Sequence, residues 1–314
     1  MGRMKSHYGH WAGLLLGLAL LLPGKTAQAF CRADLAERLD AIATQPDLQH
    51  SRLGILVETQ EANAQVLYAR DADRYFIPAS NLKLLTTAAA LRRLGPAFRI
   101  RTSIYGTQRQ GLTTLYVAGR GDPTLTDAQL DGLAQQLAEQ GITRVTNLLG
   151  GDGYFTGPAV NPNWEWEDVQ ADYGAPVNSL ILNANAIRLT LFPQAVGQPL
   201  RLQWNDADPP WPIANTSRTV ESGQLDHVNV GWSLGQTQLQ VTGQLPAGAA
   251  SETVDLAVPN PAETFMQRLQ QALTNRGITV LQTGITTQPP PADMAELAAV
   301  TSPPPLPVAR AHQS

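Results

Sequence analysis

The chain has 314 residues, enough for two or three domains of ordinary size, and its 43% apolar content supplies material for cores. Only 15% of residues are charged, against about 25% in typical soluble domains, while 26 Gly and 23 Pro speak for many turns and short strands. The net charge of −4, with no basic run, lacks the electrostatic footprint of a nucleic-acid binder, so no nucleic-acid partner is expected.

At the N-terminus, Arg3 and Lys5 precede an apolar run from Trp11 to Leu22, followed by Pro23, Gly24 and the small-residue pattern Ala27-Gln28-Ala29. This order predicts a secretory signal peptide over residues 1–29, cleaved before Phe30. The run is twelve residues long, short of the ~20 that a membrane-spanning helix needs, so no stable membrane span is expected after cleavage. Gln28, Ala29 and Phe30 do not make a lipidation box ahead of Cys31. The mature protein is therefore expected outside the cytoplasm. Export permits disulfides, yet Cys31 is the only Cys and has no partner within these residues.

Strands are predicted over Leu53 to Val57 and Val66 to Tyr68, then a turn at Pro78 and a helix from about Ser80 to the exit at Gly95-Pro96. Of 22 cationic residues 19 are Arg, and of the three Lys two lie in the leader, which leaves Lys83 alone. Arg cannot accept a proton near neutral pH, whereas Lys can where its surroundings favour the neutral form. Ser80 and Lys83, three apart, share one helix face a turn from each other, within hydrogen-bond reach. Ser80 also sits at the positive end of the helix dipole, which favours an alkoxide. Ser-x-x-Lys in this setting is a nucleophile with its base. The base must be partly neutral, and Leu82, Leu85 and Ala89 predict a helix buried over much of its circumference. The competing reading of the same pair is a helix-capping Ser with a solvated Lys.

Further along, a strand is predicted over Leu115 to Ala118, before Gly121-Asp122-Pro123-Thr124-Leu125. Then come Gly151-Asp152 with Tyr154-Phe155, the run Trp164-Glu165-Trp166-Glu167-Asp168, Tyr173 to Val177, Ala257-Val258-Pro259-Asn260-Pro261-Ala262, and a helix through Gly277. Together with Tyr75 to Lys83, this order resembles class C penicillin-binding proteins, the D-alanyl-D-alanine carboxypeptidase/endopeptidases, which are Ser-x-x-Lys serine peptidases.

The resemblance implies an α+β fold: a partial β-lactamase/transpeptidase-like domain with β-rich inserted domains. It places the catalytic domain in 30–94 and 291–314, one inserted domain in 95–173 and 252–290, and a second in 174–251. It implies hydrolysis of peptidoglycan stem peptides through acyl-Ser80, with Lys83 as base, no cofactor, and β-lactams as covalent inhibitors. Trp166, Asp168 and Tyr173 resemble the family's pocket for the free end of diaminopimelate. Asp168 suits an ammonium, and Tyr173 offers an aromatic face to the methylene stem.

The chain also departs from the family. No Ser-x-Asn occurs, and with no further Lys there is no Lys-Thr-Gly; Gln282-Thr283-Gly284 lacks the charge. The resemblance implies that a complete member continues beyond Ser314 and that turnover by these residues alone is impaired; the unpaired Cys31 reads either as a buried or idle thiol or as one whose partner lies in that further segment. Loss of one oxyanion donor costs about 10²–10³ in rate, and several losses compound.

Other classes fit less well. Gly231-Trp232-Ser233-Leu234-Gly235 has the G-x-S-x-G spacing, but a period-two run, Gln236 to Val241, follows where a helix is required, so a hairpin turn is predicted. His50, His227 and His312 lack metal-ligand spacing, and no Gly-rich phosphate loop is present. A non-catalytic peptidoglycan-binding module or an inactive gene fragment, and a β-lactamase or esterase of the same superfamily, remain as alternatives.

Overall fold

The computed structural model describes residues 32–304, apart from 110–111, 207–210, 234 and 236–237. The signal-peptide residues 1–29, Cys31 and 305–314 lie outside the described residues. The chain divides into two compact units, Met1–Ala88 and Ala89–Ser314.

The first unit contains α1 (Arg32–Ala43), an antiparallel pair of β1 (Ile55–Glu58) and β2 (Val66–Arg70), and the opening turns of α2 (Leu82–Leu94). Asp40 ties α1 to the sheet. It accepts a hydrogen bond from the Tyr68 hydroxyl at 2.5 Å and pairs with Arg70 at 3.4 Å. α2 has no buried residue, with Leu84 and Leu85 69% and 70% exposed. The burial expected around Lys83 is therefore not supplied by the described residues. A two-stranded sheet and one short helix are too small to present a complementary face to it.

The second unit holds two bodies with separate cores. Its larger sheet comprises β3 (Arg101–Arg109), β4 (Leu112–Ala118) and β5 (Arg144–Gly151), with two later strands described below; α3 (Asp127–Glu139) links β4 to β5. Leu130, Leu133, Ala134 and Leu137 are buried at helical spacing on α3. The helix starts where the Thr126 amide donates to Gln129 Oε1 at 2.8 Å, and it ends at Gly141, whose φ of +78° suits Gly.

The smaller body contains β6 (Ala186–Phe192), β7 (Arg201–Trp204), β8 (Ile213–Asn215), β9 (Arg218–Val220), β10 (His227–Gly231), β11 (Leu239–Pro246) and β12 (Glu252–Ala257). β12-β6-β7 form one sheet, and β11 pairs with β10, β8 and β9 in another. Between them lies a core of Leu189, Leu191, Leu239, Val241 and Leu256. β10, which ends at Gly231, pairs antiparallel with β11, so a strand follows it where a nucleophile elbow needs a helix.

The chain then returns to the larger body through α4 (Pro261–Asn275), β13 (Thr279–Thr286) and β14 (Ala295–Thr301). The completed sheet has order β13-β5-β4-β3-β14, parallel from β13 to β4 and antiparallel from β4 to β14. α3 and α4 cover one face, burying Phe265, Met266 and Leu269 of α4 against Leu115, Val117 and Leu148.

Two expected boundaries shift. β12, expected in the first insertion, pairs with β6 through six residues from Glu252 to Ala257 and belongs to the smaller body. β14, expected beyond a return to the catalytic domain at 291, instead pairs with β3 at the edge of the larger sheet. In both cases an edge strand completes a ladder whose partner is remote in sequence.

Candidate active site

The run leading to Ser80 is held from within its own unit. Phe76 packs where Gly54 leaves room, since a Cβ on Gly54 would stand 2.7 Å from the ring. The Arg52 guanidinium lies 5.4 Å from the Phe76 centroid and donates to the Tyr75 carbonyl at 3.5 Å. Ala79 then adopts φ +43°, a left-handed conformation that costs a non-Gly residue on the order of 1–3 kcal/mol. This bend opens the 3₁₀ turn Ala79–Asn81, which runs directly into α2.

Lys83 Nζ donates to Ser80 Oγ at 3.1 Å. The expected pairing is present, and the same line serves a proton moving from hydroxyl to amine once the amine is neutral.

The other predicted residues lie on a loop of the second unit. The Tyr173 hydroxyl donates to Asp168 Oδ1 at 3.1 Å, while Asp168 Oδ2 accepts from the Glu165 amide at 3.3 Å. Donation to the Asp168 carboxylate raises the Tyr173 phenol above its ordinary range, with smaller contributions from desolvation and nearby negative charge. Tyr173 is 70% exposed, which leaves its ring available to a ligand. Trp166 turns its indole N–H to the Trp232 carbonyl at 2.9 Å.

Sequence reasoning missed Gln170 and Trp232. Gln170 Oε1 accepts from the Trp232 amide at 2.5 Å and its Nε2 donates to the Trp166 carbonyl at 3.1 Å, bracing the loop from inside. No sequence signal joins residues 62 apart across two segments.

The remaining motifs form scaffold. Asp122 Oδ1 accepts from the Thr124 amide and hydroxyl at 2.9 and 2.7 Å, and Asp152 Oδ1 accepts from the Ser179 amide at 2.6 Å. Gln282-Thr283-Gly284 lies within β13, paired with β5.

The profile of the D-Ala-D-Ala carboxypeptidase 3 (S13) family matches residues 35–307. The chain belongs to that family. Its relatives include the D-alanyl-D-alanine carboxypeptidase of Actinomadura sp. (strain R39), 31% identical over 258 residues, covering 79% of this chain and 48% of the relative. A second is penicillin-sensitive carboxypeptidase A of Dictyostelium discoideum, 25% identical over 231 residues, covering 67% of this chain and 44% of that protein. The chain spans about half the length of these curated relatives.

The fold is similar to that of penicillin binding protein 4 (dacB) from Haemophilus influenzae, with TM-score 0.62 at 22% identity over 76% of this chain and 54% of that one. The same Haemophilus protein complexed with a β-lactam gives TM-score 0.56 at 20% identity, over 76% of this chain and 52% of that one. The α+β class, with a transpeptidase-like part and β-rich additions, is borne out.

Proposed function

We propose that the chain carries the acylating half-site of a serine-type D-Ala-D-Ala carboxypeptidase/endopeptidase that acts on peptidoglycan stem peptides outside the cytoplasm. The observation that supports this most is the 3.1 Å contact between Lys83 Nζ and Ser80 Oγ at the head of α2, in a chain of this family. Ser80 Oγ attacks the carbonyl carbon of the penultimate D-Ala, and its proton passes to neutral Lys83. The tetrahedral intermediate collapses, the terminal D-Ala leaves as an amine carrying that proton, and acyl-Ser80 remains for water to hydrolyse. A β-lactam follows the same first step, but its leaving nitrogen stays tethered.

On this reading residues 30–94 belong to the transpeptidase-like part, and both later bodies are insertions. Asp168 receives the ammonium of a diaminopimelate side chain, while Tyr173 and Trp166 flank its stem. Export is inferred from residues 1–29, and among the described residues no helix is long and apolar enough to cross a membrane.

The 314 residues contain neither Ser-x-Asn nor Lys-Thr-Gly. Turnover by these residues alone is therefore impaired, and a stem pentapeptide ending in D-Ala-D-Ala releases free D-Ala slowly. Quantifying free D-Ala against folded protein checks this; no release from a folded chain overturns it. The same lack of motifs favours a second reading, a peptidoglycan-binding module, which binds muropeptide with no release.

A further inference from the structure

A cleft of about 530 Å³ lies over the β10–β11 hairpin, within the range of roughly 300–1,000 Å³ typical of small-ligand sites. Its lining comes from the Trp166–Gln170 loop, the hairpin and β12, and includes neither Asp168 nor Tyr173. It shares only Trp166 with the residues assigned to diaminopimelate.

Strand periodicity builds its floor. Val228, Val230, Leu239 and Val241 pack into or against the smaller core, and the intervening positions turn the other way. Register sets Asn229 opposite Thr242 and Gly231 opposite Gln240, so two amides and a hydroxyl surround a gap where Gly231 carries no side chain. A Cβ on Gly231 would come within 2.6 Å of Gln170 Oε1, so the loop approaches this closely only over Gly.

The wall is fixed in advance. The hydrogen bonds of Gln170 to the Trp232 amide and the Trp166 carbonyl, with that of the Trp166 indole to the Trp232 carbonyl, lock both Trp segments. The Trp232 ring also meets Trp211 edge-on, with centroids 4.7 Å apart. Trp166 remains 40% exposed, and ordering these groups before a ligand arrives lowers the entropy lost on binding.

The lining chemistry narrows the occupant. No Lys or Arg lines the cleft among the described residues, and the Asp255 carboxylate is already closed by Arg188 through hydrogen bonds of 2.7 and 2.8 Å. An anionic ligand finds no partner there. Among the described residues, Asn229, Thr242 and Glu167 have no hydrogen-bond partner for their side chains, so amide, hydroxyl and carboxylate groups stand ready for neutral donors and acceptors. An exposed indole beside such groups suits a ring with an apolar C–H face and a polar rim.

We propose that this cleft binds a neutral N-acetylated pyranose of a glycan chain, with the Trp166 ring against the sugar's apolar face. Asn229, Gln240 and Thr242 hydrogen-bond its hydroxyl and acetamido groups, and Glu167 accepts from adjacent hydroxyls. The site works whether or not Ser80 is acylated.

The test uses the full chain with tri-N-acetylchitotriose, followed by saturation-transfer NMR and titration calorimetry. Saturation is expected on the acetyl methyl and ring protons, with Kd of about 1 mM. Asn229→Ala and Thr242→Val each weaken binding about 3- to 10-fold with unchanged thermal melting, whereas Ser80→Ala binds as the native chain does. Two results overturn the proposal: no transfer to the folded native chain at about 10 mM sugar, or native affinity retained in both cleft variants.

Discussion

Two residue pairs, one at the head of a helix and one on a loop, carry the local chemistry, and both depend on short spacing. In a helix, residues three apart meet on one face, so the Ser80–Lys83 contact at 3.1 Å was legible from the order of residues alone. Asp168 and Tyr173 meet across a loop of five residues by the same kind of local reach. Their bond has a titration consequence. Tyr173 donates to an ionised carboxylate, so its phenol ionises above the ordinary value of about 10. Ultraviolet titration of the native chain against Asp168→Asn will show the variant losing a phenol from the high end of the curve as its ionisation moves back down. Gln170 and Trp232 were not legible, because their contact joins a turn to the end of a strand that only the folded chain brings alongside.

At the scale of elements, a strained connecting turn and one strand ladder each make a separable contribution to stability. Asn183, Ala184 and Asn185 run consecutively at φ between +50° and +57°, an unfavourable turn held by side-chain bonds. Buried Asn185 donates to Asn178 Oδ1 at 2.8 Å and to the Pro176 carbonyl at 3.2 Å, and accepts from the Leu182 amide at 3.3 Å. Asn185→Ala leaves those groups unpaired and costs about 2–3 kcal/mol, readable from the midpoint of urea unfolding at unchanged slope. The β6–β12 ladder carries a pH-dependent contribution as well. Arg188 hydrogen-bonds Asp255 directly across the register and holds its carboxyl below the usual range. A folded-state value below the unfolded one gives stability that is present above about pH 4 and is lost as pH falls through the folded value. The gap in urea midpoint between the native chain and Asp255→Asn is therefore widest near neutrality and closes as the solution is acidified.

For the whole molecule, the sequence announced its α+β class and family, while domain limits escaped it. Alternation marks β12 and β14 as strands, yet nothing in a strand's own residues names the partner, here β6 and β3, that decides which body it joins. The exposure of α2 escaped for a related reason: a Leu- and Ala-rich helix announces an apolar face, not the surface that covers it. Family membership, the paired Ser80 and Lys83, and the proposed acylation meet in one measurement, the intact mass of the native chain, Ser80→Ala and Lys83→Arg after incubation with a labelled penicillin. The account predicts one penicilloyl adduct on the native chain, none on Ser80→Ala, and a rate lowered by about 10²–10⁴ in Lys83→Arg, because a guanidinium keeps its proton. An adduct that persists in Ser80→Ala, or none on a native chain shown to be folded, would contradict it.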